Sequence, residues 1–209
     1  AYSEDQVQDD IVALRRYYRS EGFLDVQVGR RLDYSPDRSK LTVTFLIQEG
    51  PEYQVGEIAV EGQNHFTREE ILAAMALQPG KTLKLSVLDE DRERVGKLYQ
   101  SAGYIYAAVQ ITYTYTDQPA VANLKVSVQE GRSFKIGLIP IKGNERTQDR
   151  VIRRTLSFHP TQTFDLVKVR EHERRLMETR LFREVSISPV GDEPDTRDAL
   201  IQVEEADTT

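Results

Sequence analysis

Two stretches of the chain share one layout. Residues 46–64 read LIQEGPEYQVGEIAVEGQN and residues 127–144 read SVQEGRSFKIGLIPIKGN. In each, an apolar run reaches Glu-Gly, a second run follows, and a Gly comes with Asn close behind. The likeness extends outward. Residues 15–28 (RRYYRSEGFLDVQV) align with residues 96–109 (GKLYQSAGYIYAAV), so that Tyr18 matches Tyr99, Gly22 matches Gly103 and Gly62 matches Gly143, always 81 residues on. A weaker third copy, residues 174–187 (RRLMETRLFREVSI), follows 78 residues later, with Leu181-Phe182 where Gly103-Tyr104 stood. An ordered set of matches at a fixed period marks a tandem array of one supersecondary unit.

The middle copy defines that unit. Residues 53–61 alternate weakly and end at Gly62, which predicts a strand. Thr67 with Glu70 fits a capping box, and Ile71, Leu72 and Met75 form one apolar helix face. Pro79-Gly80 ends that helix. Ser86 with Asp89 is expected to start a second helix, which carries Leu88, Val95, Leu98, Tyr99 and Ala102 at helical spacing and stops at Gly103. From residue 105 to 115, apolar Ala107, Val109, Ile111 and Tyr113 alternate with Gln110, Thr112 and Thr114, the pattern of a strand with one buried and one wet face. A turn at residues 117–119 leads to a last strand with Leu124, Val126 and Val128. The fold class is therefore α+β: β-α-α-β-β modules, each with two helices packed on a three-stranded mixed sheet.

The third copy is expected to place its first strand at 134–141, a helix cap at Thr147, its second helix at 165–179 and its hairpin at 182–189 and 199–203. The first copy starts with its second helix (5–20), followed by a hairpin (23–33 and 41–48). Its opening strand and helix are not in the sequence, so residue 1 is expected to be a cut within a module. The expected division is a partial module at 1–52 and complete modules at 53–132 and 133–209. EGPEYQV and EGRSFKI are short joints between consecutive modules, expected to allow some relative motion.

Composition narrows the function. The chain has 209 residues, 39% hydrophobic and 30% charged, with a net charge of −6 and no cysteine. That balance opposes general nucleic-acid binding, which needs clustered Lys and Arg. A β-α-α-β order also fits a KH module, but PGKT does not supply the GXXG loop. Disulfides and thiol catalysis are excluded. The three histidines, His65, His159 and His172, lack metal-site spacing and are read as solvated. The run DEDRER (residues 89–94) is read as a solvated helix face with charges paired at i,i+3 and i,i+4. No catalytic site, metal site or cofactor is expected. Tyr104, Tyr106, Tyr113 and Tyr115 cluster on or next to the strand at 105–115. Packing accounts for most of them, while Tyr106 is out of phase and expected on a binding surface.

The unit order, the helix ending YxxxGY or YxxxGF, the hairpin ending QEG, and the continuation EGQNHFT or KGNERT together resemble polypeptide-transport-associated (POTRA) domains. In tandem they are similar to those of the BamA and TamA outer-membrane protein assembly factor family. The resemblance implies a non-enzymatic, chaperone-like region on the periplasmic face of the bacterial outer membrane. Its partners would be unfolded outer-membrane β-barrel proteins and accessory lipoproteins or other assembly subunits, with membrane contact through a barrel absent from this sequence. The family's sheet order puts the second strand of each module at an edge, where a client strand can add by β-augmentation. Here that implies an edge with Tyr106, Gln110, Thr112 and Thr114 in the middle module, and Arg183 and Val185 in the third. Pro189 is expected to close the third module's edge. The alternative is a scaffold or docking arm of a different POTRA-containing envelope protein, of secretion-transporter or cell-division type. Leu181, in place of the helix-stopping Gly, departs from the pattern.

Overall fold

A computed structural model describes residues 3–206. The element order is α1 (Glu4–Ser20), β1 (Gln27–Tyr34), β2 (Leu41–Gln48), β3 (Gln54–Glu61), α2 (Arg68–Ala74), α3 (Leu85–Ser101), β4 (Ala108–Tyr115), β5 (Val121–Gln129), β6 (Lys135–Ile136), β7 (Ile141–Lys142), α4 (Asp149–Thr155), α5 (Leu166–Glu178), β8 (Phe182–Val190) and β9 (Thr196–Glu205). The β-α-α-β-β unit is present in both later copies. The chain forms two compact bodies: one from the chain up to Glu61 with 67–94 and 110–127, the other from 62–66 and 95–109 with the chain from Val128 on. No helix among the described residues is long and apolar enough to cross a membrane.

In the first copy α1 covers the antiparallel pair β1–β2. Val7, Ile11, Val26 and Val28 are its buried core, with Leu14, Tyr18, Phe23, Val43 and Phe45 packed around them. In the middle copy the strand order is β3-β5-β4, with β3 parallel to β5. Central β5 buries Ala122, Leu124, Val126 and Val128. In the third copy β9 is central, with β6 and β7 parallel on one side and β8 antiparallel on the other. Its core includes Ile136, Ile152, Phe164, Leu176, Ile187 and Ile201.

Several boundaries differ from the sequence reading for local reasons. The capping box forms as expected, with Thr67 and Glu70 exchanging bonds. Thr147 is not a cap: Gln148 precedes α4 without a side-chain bond, and the Thr147 N–H donates to Glu205. Helix α3 begins at Leu85, and the Ser86 hydroxyl donates to the Ser20 carbonyl (3.0 Å) instead of capping. The strand expected at 134–141 is interrupted between β6 and β7, because Asp198 Oδ1 captures the Leu138 N–H (2.7 Å). Asn123 Oδ1 takes the equivalent Glu57 N–H (2.8 Å), where the β3–β5 register shifts. An acceptor side chain on the central strand thus builds the same irregularity twice.

Two acceptors hold the loops of each complete copy. Asp91, in the run read as a solvated face, is fully buried and accepts the N–H groups of Ala76 (2.7 Å) and Leu77 (2.8 Å). Its neighbours pair on the surface as expected, Arg92 with Asp89 and Arg94 with Glu90. The equivalent residue of the third copy is His172, read as solvated but also buried. Its Nε2 faces the Ser157 N–H (3.3 Å) and hydroxyl (2.7 Å). Burial and nearby Arg175 push its pKa down, which keeps it a neutral acceptor. The second acceptor is a glutamate at the end of the central strand. Glu130 accepts from Asn64 N–H (2.6 Å), His65 N–H (2.9 Å) and the Tyr99 hydroxyl (3.0 Å). Glu205 holds the N–H groups of Arg146 and Thr147. The Glu of the QEG sequence is thus a loop clamp as well as the end of a module.

Both joints are built alike, and each lies inside one compact body. The Tyr53 N–H donates to the Gly22 carbonyl and the Phe134 N–H to the Gly103 carbonyl, both at 2.9 Å. A Cβ on Gly22 would meet Thr82 Cγ2 at 2.6 Å, and one on Gly103 would meet Thr163 Cγ2 at 2.9 Å. Near the first joint the Tyr53 hydroxyl donates to Asp25 (2.8 Å), an acceptor that with burial pushes the phenol pKa up to about 12. Near the second, Tyr106 stands where Asp25 stood, edge-on to Phe134 at 5.7 Å, with the Arg197 guanidinium 4.2 Å from the Phe134 centroid. These contacts fit joints short enough for consecutive copies to touch.

Candidate functional site

Strand β4 lies at an edge of its sheet, with β5 on one side only. Its side chains alternate as the sequence pattern implies. Ile111 is buried, Val109 and Tyr113 are half-buried, and Gln110, Thr112 and Thr114 are exposed. The direction of its backbone groups follows from the hairpin end, where the Thr116 N–H donates to the Val121 carbonyl (3.1 Å). Carried along a regular antiparallel ladder, that phase turns the N–H groups of Thr114, Thr112 and Gln110 toward β5. By the same alternation, those of Tyr113, Ile111 and Val109 are expected at the free edge. On that phase Ile111 is expected opposite Val126 and Tyr113 opposite Leu124, which would put buried Ile111, Val126 and Leu124 and half-buried Tyr113 on one face.

The corresponding edge of the third copy, β8, is covered at Ile187. The Ile187 N–H donates to Glu173 Oε2 (2.8 Å), and the Ile187 carbonyl accepts from Arg170 Nη1 (3.0 Å). Arg170 and Glu173 are themselves paired at 2.7 Å. Two residues on, Pro189 has no N–H to offer. Ile187 is the counterpart of Val109 in the repeat. At the matching helix positions of the middle copy, Asp89 and Arg92 pair with each other instead (3.3 Å).

The six candidate residues divide accordingly. Gln110, Thr112 and Thr114 share the exposed face of β4. Tyr106 is not on that strand: residues 104–107 form a turn, closed by the Ala107 N–H to the Tyr104 carbonyl (3.0 Å), and β4 begins at Ala108. The tyrosine is 55% exposed, and its inner side packs at the second joint. Arg183 is exposed on β8 and pairs with Glu204 of β9. Val185 is on β8, but its side chain belongs to the core, so only its backbone is at the edge. Sequence reading missed Arg170 and Glu173. An Arg and a Glu at i,i+3 look like any surface ion pair, and only the fold puts a strand beside them.

A repeated β-α-α-β-β unit, with an edge strand on each sheet, defines a tandem-module α+β protein. The family model POTRA, described as a surface antigen variable number repeat, matches residues 1–50, 53–131 and 134–206, and the chain belongs to that family. It is similar to the outer membrane protein assembly factor BamA of Nitratidesulfovibrio vulgaris (25% identity, covering 98% of this chain and 26% of that protein). It is also similar to BamA of Neisseria meningitidis serogroup B (24%, covering 99% and 26%). The chain spans about a quarter of the length of these curated relatives. Among solved structures, POTRA domains 3–5 of Haemophilus influenzae BamA share the fold, with TM-score 0.68, 21% identity, and coverage of 98% of this chain and 82% of that one.

Proposed function

We propose that the chain is a periplasmic polypeptide-binding region of an outer-membrane β-barrel assembly factor. It receives unfolded barrel proteins by β-augmentation on the open edge of β4 and docks accessory subunits such as lipoproteins. The observation that carries this reading is the contrast between the two edges. Helix side chains and a proline occupy β8, while β4 turns the N–H groups of Val109, Ile111 and Tyr113 outward. A row of backbone donors and acceptors pairs with an extended segment whatever its side chains, which suits a receiver of many clients. Gln110, Thr112 and Thr114 supply a polar border. The assembly-factor names of the relatives support the cellular role. The family matches support modules divided near Glu52 and Arg132.

The test is a proline that removes an outward donor without removing a ladder bond. Val109→Pro is expected to weaken binding of an unfolded barrel-strand peptide about tenfold, with Val109→Ala near wild type, measured by fluorescence anisotropy. Thr112→Pro instead removes an inward N–H and is expected to unfold the hairpin. A folded Val109→Pro variant that binds the peptide like wild type rules out this edge.

A further inference from the structure

The geometry points to a second docking surface, separate from the β4 edge: a groove between α1 and the start of α3 that takes an acidic, amphipathic helical segment of a partner protein. Val12, Arg15, Arg16 and Arg19 follow i, i+3, i+4, i+7 spacing and so form one stripe along α1. Leu85, Ser86 and Asp89 of α3 form the opposite wall. The cleft has a volume of about 580 Å³, within the roughly 300–1,000 Å³ range of binding pockets.

The groove is held in shape before any partner arrives. The Ser86 hydroxyl donates to the Ser20 carbonyl (3.0 Å), Lys84 pairs with Glu21 (2.8 Å), and Arg19 Nη2 donates to the Tyr113 hydroxyl (2.8 Å). A fixed site loses less entropy on binding.

Its charge is uncompensated. On α3 and α5 the arginines at these spacings find carboxylates, as in Arg92–Asp89, Arg94–Glu90, Arg170–Glu173 and Arg174–Glu178. On α1 the pattern reverses: Arg15 and Arg16 stand four and three residues before Arg19, like charges that repel. Arg15 and Arg16 are exposed and join no salt bridge among the described residues, and the Arg19 Nε is buried without an acceptor there. The first turn of α3 has no acidic residue to offset its positive end. Asp89 is the one carboxylate on the walls, and Arg92 pairs with it.

The same features select the occupant. Carboxylates one helical turn apart match the arginine stripe, and an apolar residue beside them meets Val12, 51% exposed, and half-buried Leu85. A lipid surface or nucleic acid would bring much of a chain of net charge −6 against further negative charge. A single helix enters the cleft alone, and salt screens the rest beyond about 8–10 Å.

The experiment uses the full chain and a fluorescein-labelled synthetic helix with glutamates at i, i+4 and i+7 and leucines beside them. Wild type is expected to bind it, with affinity falling at least tenfold in Arg15→Glu/Arg16→Glu and with the peptide's glutamates changed to glutamine. Arg15→Gln/Arg16→Gln, a milder change, is expected to weaken binding at least threefold if the reversal perturbs folding. Val109→Pro is expected to leave this binding intact, which separates it from the β4 edge. Equal binding by the arginine variants or by the glutamine peptide overturns the proposal, as does preference for phosphatidylglycerol vesicles over the peptide.

Discussion

Gly143→Ala is expected to destabilise the third copy by about 3 kcal/mol or more, from a left-handed residue plus a displaced strand end. Gly143 sits at φ 89°, and a Cβ there would be driven into the Val203 carbonyl of central β9. Gly62 repeats the geometry at φ 83° against Val128. The obstacle is backbone, so no rotamer change relieves it. Gly191→Ala is the control: its φ is 102°, but nothing lies within 4 Å of the added atom. It should cost only about 1–2 kcal/mol. Hydrogen exchange should show protection lost along β7 and the end of β9 in Gly143→Ala and kept in Gly191→Ala. Equal stability of the two variants would refute the steric account.

Glu130→Ala is expected to cost the middle copy about 3–5 kcal/mol, because two backbone N–H groups and the Tyr99 hydroxyl lose a buried acceptor together. Glu130→Gln keeps one oxygen and should cost less. The charge also makes the clamp pH-dependent. Burial alone would raise the Glu130 pKa, but the bonds from Asn64, His65 and Tyr99 outweigh it and hold the carboxyl below its usual range. Burial is likewise outweighed at Glu205, where Thr147 and Arg146 bring the pKa from 4.5 to about 2. Lowered values mean that the stabilisation is full above the ordinary glutamate range and is lost as pH falls through the folded-state value. Denaturant melts between pH 7 and pH 2 should lose stability below about 4.5 in wild type. That slope should be shallower in Glu130→Gln. A parallel pH dependence would separate Glu130 from the acid transition.

The sequence exposed what is periodic and local. The 81-residue period shows by comparing the chain with itself, and the Thr67–Glu70 box and the alternation in β4 and β5 follow from residues near in sequence; all appear in the fold. Contacts distant in sequence stayed hidden. Asp91 and His172 looked like surface charges because the groups they bind lie in the loop after another helix. Ser86 looked like a cap until Ser20 was beside it. The edge character of β4 came from family likeness, and its backbone phase from one hydrogen bond at Thr116. The covering of β8 at Ile187 by Glu173 needed the packed helix.

The two joints follow one interchangeable rule. Gly22 and Gly103 are matching sockets, and Tyr53 with Thr82 and Phe134 with Thr163 are matching plugs. Excising one whole period would therefore bring the first socket to the last plug with its backbone bond and threonine contact available. Only the side chains beside it would change: Asp25 would lose the Tyr53 hydroxyl but stand where Tyr106 now lies under Arg197, so a tyrosine–carboxylate bond would give way to an ion pair. Arrays of this kind can gain or lose copies by recombination in units of one period, because every junction is already written to accept its neighbour's neighbour.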